Sequence, residues 1–143
     1  MIHITTERLQ MRDMLLTDCD EMFRMDTDPQ VRAFLFGSLP PSTVEESKQY
    51  IEKLHKQYIE NGIGRWTVIE IITGRIIGWA GLKIEINVNN HDSFYDLGYR
   101  FLPEFWNNGY ATEVSKALVK YGFELFQSKI NKIPIDKICG YMN

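Results

Sequence analysis

The residues whose types and spacing could do chemistry lie in one stretch, residues 94–127. A turn of small residues, Asn107-Asn108-Gly109, separates a strand-like run from a segment with helical apolar spacing that starts at Tyr110. A strand, a glycine-containing turn and a helix together direct free backbone N–H groups at an anion, usually a phosphate. The carboxylate of Glu113 suits the positive end of such a helix. The sequence therefore predicts an anion site at this turn.

The elements that position this turn follow from the apolar spacing of the rest of the chain. The sequence predicts strands at 9–14, 65–72, 75–88, 94–102 and 133–142, and helices at 18–28, 30–35, 42–60 and from 110 onward. Thr17 or Asp18 caps the first helix, and Thr73-Gly74 forms a two-residue hairpin turn. We expect one α+β domain over residues 1–143, with a mixed, mostly antiparallel central sheet flanked by helices.

Composition argues against several classes of protein. The net charge is −3 without a Lys/Arg cluster, which disfavours a nucleic-acid partner because phosphate neutralisation needs a basic surface. The longest apolar run, Ile76–Leu82, is too short to span a membrane, and the N-terminus lacks a signal-peptide pattern. We therefore expect a cytoplasmic protein without a membrane partner, in which Cys19 and Cys139 are reduced thiols. The spacing of His, Cys and acidic residues predicts no metal site.

Three segments carry a family resemblance: TERLQMR at residues 6–12, GRIIGWAGL at 74–82 and DLGYRFLPEFWNNGYATE at 96–113. Together they resemble the acetyl-coenzyme A-dependent N-acetyltransferases of the GNAT superfamily. More narrowly, they resemble the branch that acetylates the N-termini of ribosomal proteins. The third segment is similar to that branch's cofactor motif almost residue for residue, with Trp106 where the superfamily pattern has Gln or Arg. The resemblance covers nearly the whole chain.

This resemblance implies that acetyl-coenzyme A (acetyl-CoA) lies across the splayed ends of two neighbouring strands. Its pyrophosphate would bind the turn and the helix start, and its pantetheine arm would pair with the end of the preceding strand. The residues implied for cofactor binding are Phe101, Leu102, Asn107, Asn108, Gly109, Tyr110, Ala111 and Thr112. A Cβ at Gly109 would crowd the phosphate oxygens.

The implied reaction is direct transfer of an acetyl group to a primary amine of a protein N-terminus, a polyamine or another small molecule. The amine must lose a proton before it attacks. Asp96 matches the position of a Glu in that branch, so it is implied as the general base, acting through a water because Asp is shorter. A solvated carboxylate at a strand start is the alternative for Asp96. Arg8 is interpreted as a surface or sheet-edge charge.

The resemblance also implies that the domain is short at its C-terminal end, where related domains continue into another helix and further strands. An open terminal strand offers unpaired backbone groups, so we expect a homo-oligomer, such as a dimer, through this edge. The alternative to an enzyme is a catalytically impaired CoA-binding or assembly module whose sheet another chain completes. A third hypothesis is a nucleotide-binding α/β protein that uses the same glycine turn.

Overall fold

A computed structural model describes residues 1–35, 39–85, 93–128 and 138–140 of the chain. Within them the elements are β1 Ile2–Thr5, β2 Leu9–Asp13, α1 Cys19–Thr27, α2 Pro29–Arg32, α3 Val44–Asn61, β3 Arg65–Glu70, β4 Ile76–Glu85, β5 Phe94–Phe101, α4 Tyr110–Ser128 and β6 Ile138–Gly140. Short 3-10 turns at Leu16–Asp18 and Pro103–Phe105 precede α1 and α4. The predicted α+β fold is confirmed.

The described strands form one six-stranded sheet in the order β1-β2-β3-β4-β5-β6. The pairs from β1 to β5 are antiparallel, and β6 pairs with β5 in parallel through Tyr95 to Leu97. A parallel pair needs a long crossover connection, and α4 lies in that connection. The sheet is therefore mostly antiparallel, as predicted, with one parallel pair beside the predicted anion turn.

Helices cover both faces of the sheet. On β3 the hydroxyl of Thr67 donates to Asp18, just before α1, whereas the ring of Tyr121 on α4 packs edge-on against Trp66 at 5.3 Å. Neighbouring strand residues point to opposite faces, so α1 and α4 lie on opposite sides. The core between the layers is built from fully buried side chains, among them Leu9, Met11, Met14, Met25, Ile51, Leu54, Ile63, Trp66, Ile77 and Leu82.

Asp18 occupies the N-cap position of α1, as one of the two predicted candidates, but its side chain makes no capping hydrogen bond to that helix and has another role. Its buried carboxylate accepts two hydrogen bonds from Arg12, at 2.8 and 3.0 Å, and one each from the Leu15 N–H and the Thr67 hydroxyl. Burial alone would raise the pKa of Asp18, but these donors outweigh it and hold the pKa below its ordinary value. The carboxylate thus joins β2, the turn before α1 and β3.

The other predictions of caps, turns and strands agree with the structure to different degrees. The side chain of Thr43 caps α3 by accepting from the Glu46 N–H, so the capping interaction lies one residue after the capping box predicted at residues 42–45. The two-residue hairpin turn is wrong, because β3 ends at Glu70 and β4 begins only at Ile76. Strand β1 was not predicted. Of the strand predicted at 133–142 only Ile138–Gly140 is described, and the rest lies outside the described residues, as do 86–88 of the preceding prediction.

Replacing Asp18 by Asn should lower the free energy of unfolding by about 3 kcal/mol at pH 7, because it leaves the largely buried Arg12 without its anion. The folded-state pKa of Asp18 lies below the ordinary 3.8, so this stability is present above that value. It is lost as the pH falls through the folded-state pKa. Urea unfolding at pH 7 and near pH 3 should show the difference from wild type shrinking in acid.

The control for that measurement is Asp20→Asn, which removes an exposed carboxylate from the first turn of the same helix. It should leave the unfolding free energy within about 0.5 kcal/mol of wild type. Equal losses from the two variants would contradict the role given to Asp18.

Candidate functional site

The turn before α4 has the backbone geometry of an anion site. Asn107 and Gly109 are both in the left-handed region, with φ of 63° and 78°. The side chain of Asn108 donates to the carbonyls of Phe105 and Trp106, at 3.0 and 3.1 Å, and so fixes the turn from within. In the described part of the chain, the N–H groups of residues 108–112 have no recorded acceptor. Consecutive free N–H groups at a helix start bind anions.

Two residues from outside the helix hold this turn in place. Glu113 accepts from the Thr6 hydroxyl at 2.5 Å, the Arg8 N–H at 3.0 Å and the Arg8 Nε at 2.7 Å. Arg8 also donates through Nη1 to the Asn108 carbonyl at 2.8 Å. Burial would raise the pKa of Glu113, but the donors on Thr6 and Arg8 keep it below the ordinary value. Arg8 is exposed, as expected for a surface charge, yet it links the β1–β2 turn to the start of α4.

A second link joins the start of α4 to the end of β3. The Tyr110 hydroxyl donates to Glu70 at 2.5 Å, and the Arg8 guanidinium lies 4.4 Å from the centre of the Tyr110 ring. This hydrogen bond is the main cause of the raised pKa of Tyr110 and of the lowered pKa of Glu70, which also accepts from Thr73. The ring of Tyr110 is therefore held between a carboxylate at its hydroxyl and a cation over its face.

A cavity of about 780 Å³ opens beside this turn, bordered by β5, β6 and α4. The predicted cofactor residues that line it are Phe101, Asn107, Gly109, Tyr110 and Ala111, whereas Leu102, Asn108 and Thr112 do not. The predicted base Asp96 also lines it. Sequence reasoning missed Ser115 on α4, which lies one helical turn beyond Ala111 and so shares its face.

The end of β5 offers backbone groups to the cavity unequally. The N–H of Leu102 donates to the Ile77 carbonyl at 2.8 Å, and its carbonyl accepts from the Phe105 N–H. Since backbone groups alternate in direction along a strand, those of Phe101 point away from β4 and into the cavity. The Trp106 indole donates to the Phe101 carbonyl at 2.8 Å, which leaves the Phe101 N–H for a ligand.

Asp96 is held by a buried arginine. Its Oδ2 accepts from Nη2 of Arg65 at 2.6 Å, and Nη1 of Arg65 donates to the carbonyls of Asp96 and Gly81 at 2.8 and 2.6 Å. Gly98 provides the room, since a Cβ there would lie 3.0 Å from Nη2 of Arg65. One oxygen of Asp96 is thus engaged, although the residue borders the cavity.

A second cavity of about 550 Å³ lies on the side of α1 and α3. It shares Trp79 and Arg100 with the first cavity, so these two side chains lie between them. Arg100 donates to Asp26 at 2.7 Å, and the guanidinium groups of Arg65 and Arg100 lie 5.2 and 5.3 Å from the Trp79 ring. The two cavities therefore meet at an aromatic side chain with two arginines against it.

Neither a metal site nor a membrane-spanning helix is found in the residues that the structure describes. Residues 1–35, 39–85, 93–128 and 138–140 contain no group of three or more His, Cys, Asp or Glu side chains arranged to hold a metal ion. The helices within the same residues include none that is long and apolar enough to cross a membrane.

The fold matches solved acetyltransferase structures. The GNAT-family acetyltransferase of Bacillus anthracis has 25% identical sequence and a TM-score of 0.66, and the match covers 89% of this chain and 69% of that one. RimL, the ribosomal L7/L12 alpha-N-protein acetyltransferase solved with coenzyme A, gives a TM-score of 0.68 at 11% identity, over 85% of this chain and 67% of that one. At that low identity the likeness shows the fold alone.

A family profile described as Acetyltransferase (GNAT) domain matches residues 8–139. The chain therefore belongs to the GNAT acetyltransferase family, which confirms the wider resemblance seen in the sequence. A curated relative in Bacillus licheniformis, the uncharacterized N-acetyltransferase p20, is 27% identical over 118 residues, or 82% of this chain and 64% of that protein. The chain spans about two thirds of the length of such relatives. The narrower ribosomal-protein branch stays a prediction.

Proposed function

We propose that the protein transfers an acetyl group from acetyl-CoA to a primary amine. The observation that carries this proposal is the row of free N–H groups at residues 108–112, beside a cavity that runs along the end of β5. A diphosphate suits such a row because several oxygens can accept at once from a rigid backbone. RimL, a structural neighbour, is described as a complex with coenzyme A, which agrees with this assignment.

The residues present fit the two polar parts of acetyl-CoA. The N–H groups of Asn108 to Thr112 would hold the pyrophosphate, with Asn107 and Gly109 giving the turn its shape. The side of Gly109 where a Cβ would project is open, since the nearest atom is Nη2 of Arg8 at 3.5 Å. The N–H of Phe101 would donate to an acceptor of the pantetheine arm, in the same way that it would donate to an added strand. Leu102 instead supports the strand end, because its backbone groups are already used.

The second cavity is the proposed acceptor site. It meets the first at Trp79 and Arg100, so an amine bound there would lie next to an acetyl group held at that boundary. Its walls combine apolar side chains with Glu46, Arg32 and the Asp26–Arg100 ion pair. This mixed lining does not select one class of amine, so a protein N-terminus, a polyamine or another small amine all remain within the proposal.

Asp96 is the proposed general base. An alkylamine is protonated at neutral pH, so it must release a proton before its lone pair attacks the thioester carbonyl. Arg65 occupies Oδ2 of Asp96 and leaves Oδ1 without a recorded hydrogen bond in the described residues. A water on Oδ1 would carry the proton from the amine to the carboxylate, and the Arg65 contact would keep the carboxylate in one orientation.

The alternative proposal, a CoA-binding or assembly module completed by another chain, is not favoured by the comparisons, whose named relatives are N-acetyltransferases. The two proposals differ in turnover. An N-acetyltransferase should be stabilised against heat by acetyl-CoA and should release free thiol when a panel of amines is added. Stabilisation without thiol release for any amine would favour the module, and no stabilisation at all would remove the N-acetyltransferase.

Gly109→Val should weaken acetyl-CoA binding at least about a hundredfold, because the branched side chain projects where the phosphate would bind and opposes the positive φ. Gly74→Val is the matched control, since Gly74 has a φ of 72° in a remote turn with nothing near its missing Cβ. Both variants should lose about 1–2 kcal/mol of stability, from strain alone. Calorimetric titration that finds equal binding in the two variants would refute the pyrophosphate site.

Asp96→Asn should lower the acetylation rate about a hundredfold at pH 7 while leaving the dissociation constant of acetyl-CoA unchanged. The asparagine amide oxygen can still accept from Arg65, but the neutral side chain leaves the buried guanidinium without its anion, so the melting temperature is measured beside the rate. Asp96→Glu, which restores a carboxylate, should recover part of the rate. If the asparagine variant keeps the wild-type rate and pH profile, Asp96 serves only to hold Arg65.

A further inference from the structure

We propose that Arg8 is the phosphate-binding cation of the anion turn, supplied by the β1–β2 turn rather than by α4. This inference rests on the proposed function, since it concerns the same acetyl-CoA site. It would make a residue that reads as a surface charge a determinant of cofactor affinity.

Arg8 has N–H donors that its contacts within the described residues do not use. A guanidinium carries five N–H donors. Nε donates to Glu113 at 2.7 Å and Nη1 to the Asn108 carbonyl at 2.8 Å, which are the only side-chain hydrogen bonds recorded for Arg8 within the described residues. Nη2 has no recorded acceptor there and lies 3.5 Å from the point where a Cβ on Gly109 would stand. Free N–H donors of Arg8 therefore lie beside the open side of the turn.

The guanidinium of Arg8 is held in position before any ligand binds. Glu113 accepts from both the backbone N–H and the Nε of Arg8, and the Tyr110 ring lies under the guanidinium at 4.4 Å. The pKa of Arg8 is raised, chiefly by its hydrogen bond to Glu113, so the cation persists at every pH where the protein folds. A fixed fork loses less side-chain entropy on binding phosphate than a mobile one.

Arg8 differs from the arginines that line the cavity in its position and in which of its nitrogens are paired. The arginines that line it, Arg65 and Arg100, are bound to Asp96 and Asp26 near the boundary with the second cavity. Arg8 stands at the turn and not in the cavity lining. It is paired with Glu113 through Nε and with the Asn108 carbonyl through Nη1, which leaves Nη2 beside the turn. A doubly charged pyrophosphate at residues 108–112 would thus find a cation on Arg8 in addition to the backbone N–H groups.

The test compares the binding of coenzyme A and of pantetheine, which lacks the phosphates, to the full chain by calorimetric titration. Arg8→Met keeps the aliphatic stem and should weaken coenzyme A binding about tenfold or more, with no change for pantetheine. Its coenzyme A affinity should also fall less steeply with salt than that of wild type. Arg8→Lys keeps the charge and should recover part of the affinity.

Arg24→Met is the matched control, because Arg24 is an exposed, carboxylate-paired arginine on α1, and it should bind coenzyme A as wild type does. If Arg8→Met binds coenzyme A as tightly as wild type, or loses both ligands equally, the inference is overturned. Failure of lysine to recover any affinity while both variants melt at the wild-type temperature overturns it too. If wild type itself does not bind coenzyme A, the proposed function fails first, and the two failures are distinguishable.

Discussion

The buried guanidinium of Arg65 is the interaction on which the rest of the site depends. It joins three strands, because it extends from β3, donates to the Gly81 carbonyl on β4 and binds both the backbone and the side chain of Asp96 on β5. A buried charge is tolerated only where carboxylate and carbonyl acceptors surround it. The strand residues around it are consequently constrained, since Gly98 has to leave room for the side chain. The wall of the first cavity formed by Arg65, Asp96 and Gly98 is therefore held by contacts across three strands.

The anion turn is held by a different kind of interaction, at the surface. Arg8 and Glu113 form a pair in which the arginine is 43% exposed, so the Coulomb energy alone stabilises the fold little. The ion pair matters chiefly for the geometry of the turn. The Glu113 carboxylate accepts from Thr6 and Arg8, and Arg8 in turn donates to the Asn108 carbonyl. The left-handed backbone of Asn107 acts against this arrangement, because that conformation is strained for a residue with a Cβ.

The sequence predicted those features that local chemistry determines. The start of α4 and the turn at Asn107-Asn108-Gly109 depend on residues within a few positions of each other and are found where expected, and the N-cap of α3 is found within one residue of its predicted place. Pairs distant along the chain could not be predicted. Arg8 and Glu113 are more than a hundred residues apart, and Arg65 becomes the partner of Asp96 only once β3, β4 and β5 have aligned. The family resemblance named Asp96 and gave no information about its partner.

Net charge describes the long-range field of the chain and not the potential at a single turn. A chain of net charge −3 repels a polyanion at long range, which is why the sequence disfavours nucleic acid, a partner that needs an extended basic surface. At the turn the direction of individual groups matters more, because free N–H groups, the helix dipole and Nη2 of Arg8 surround one small region while the carboxylates of Glu113 and Glu70 are engaged by their own donors. Under the proposed function, a compact anion such as a pyrophosphate would accept from those donors at short range.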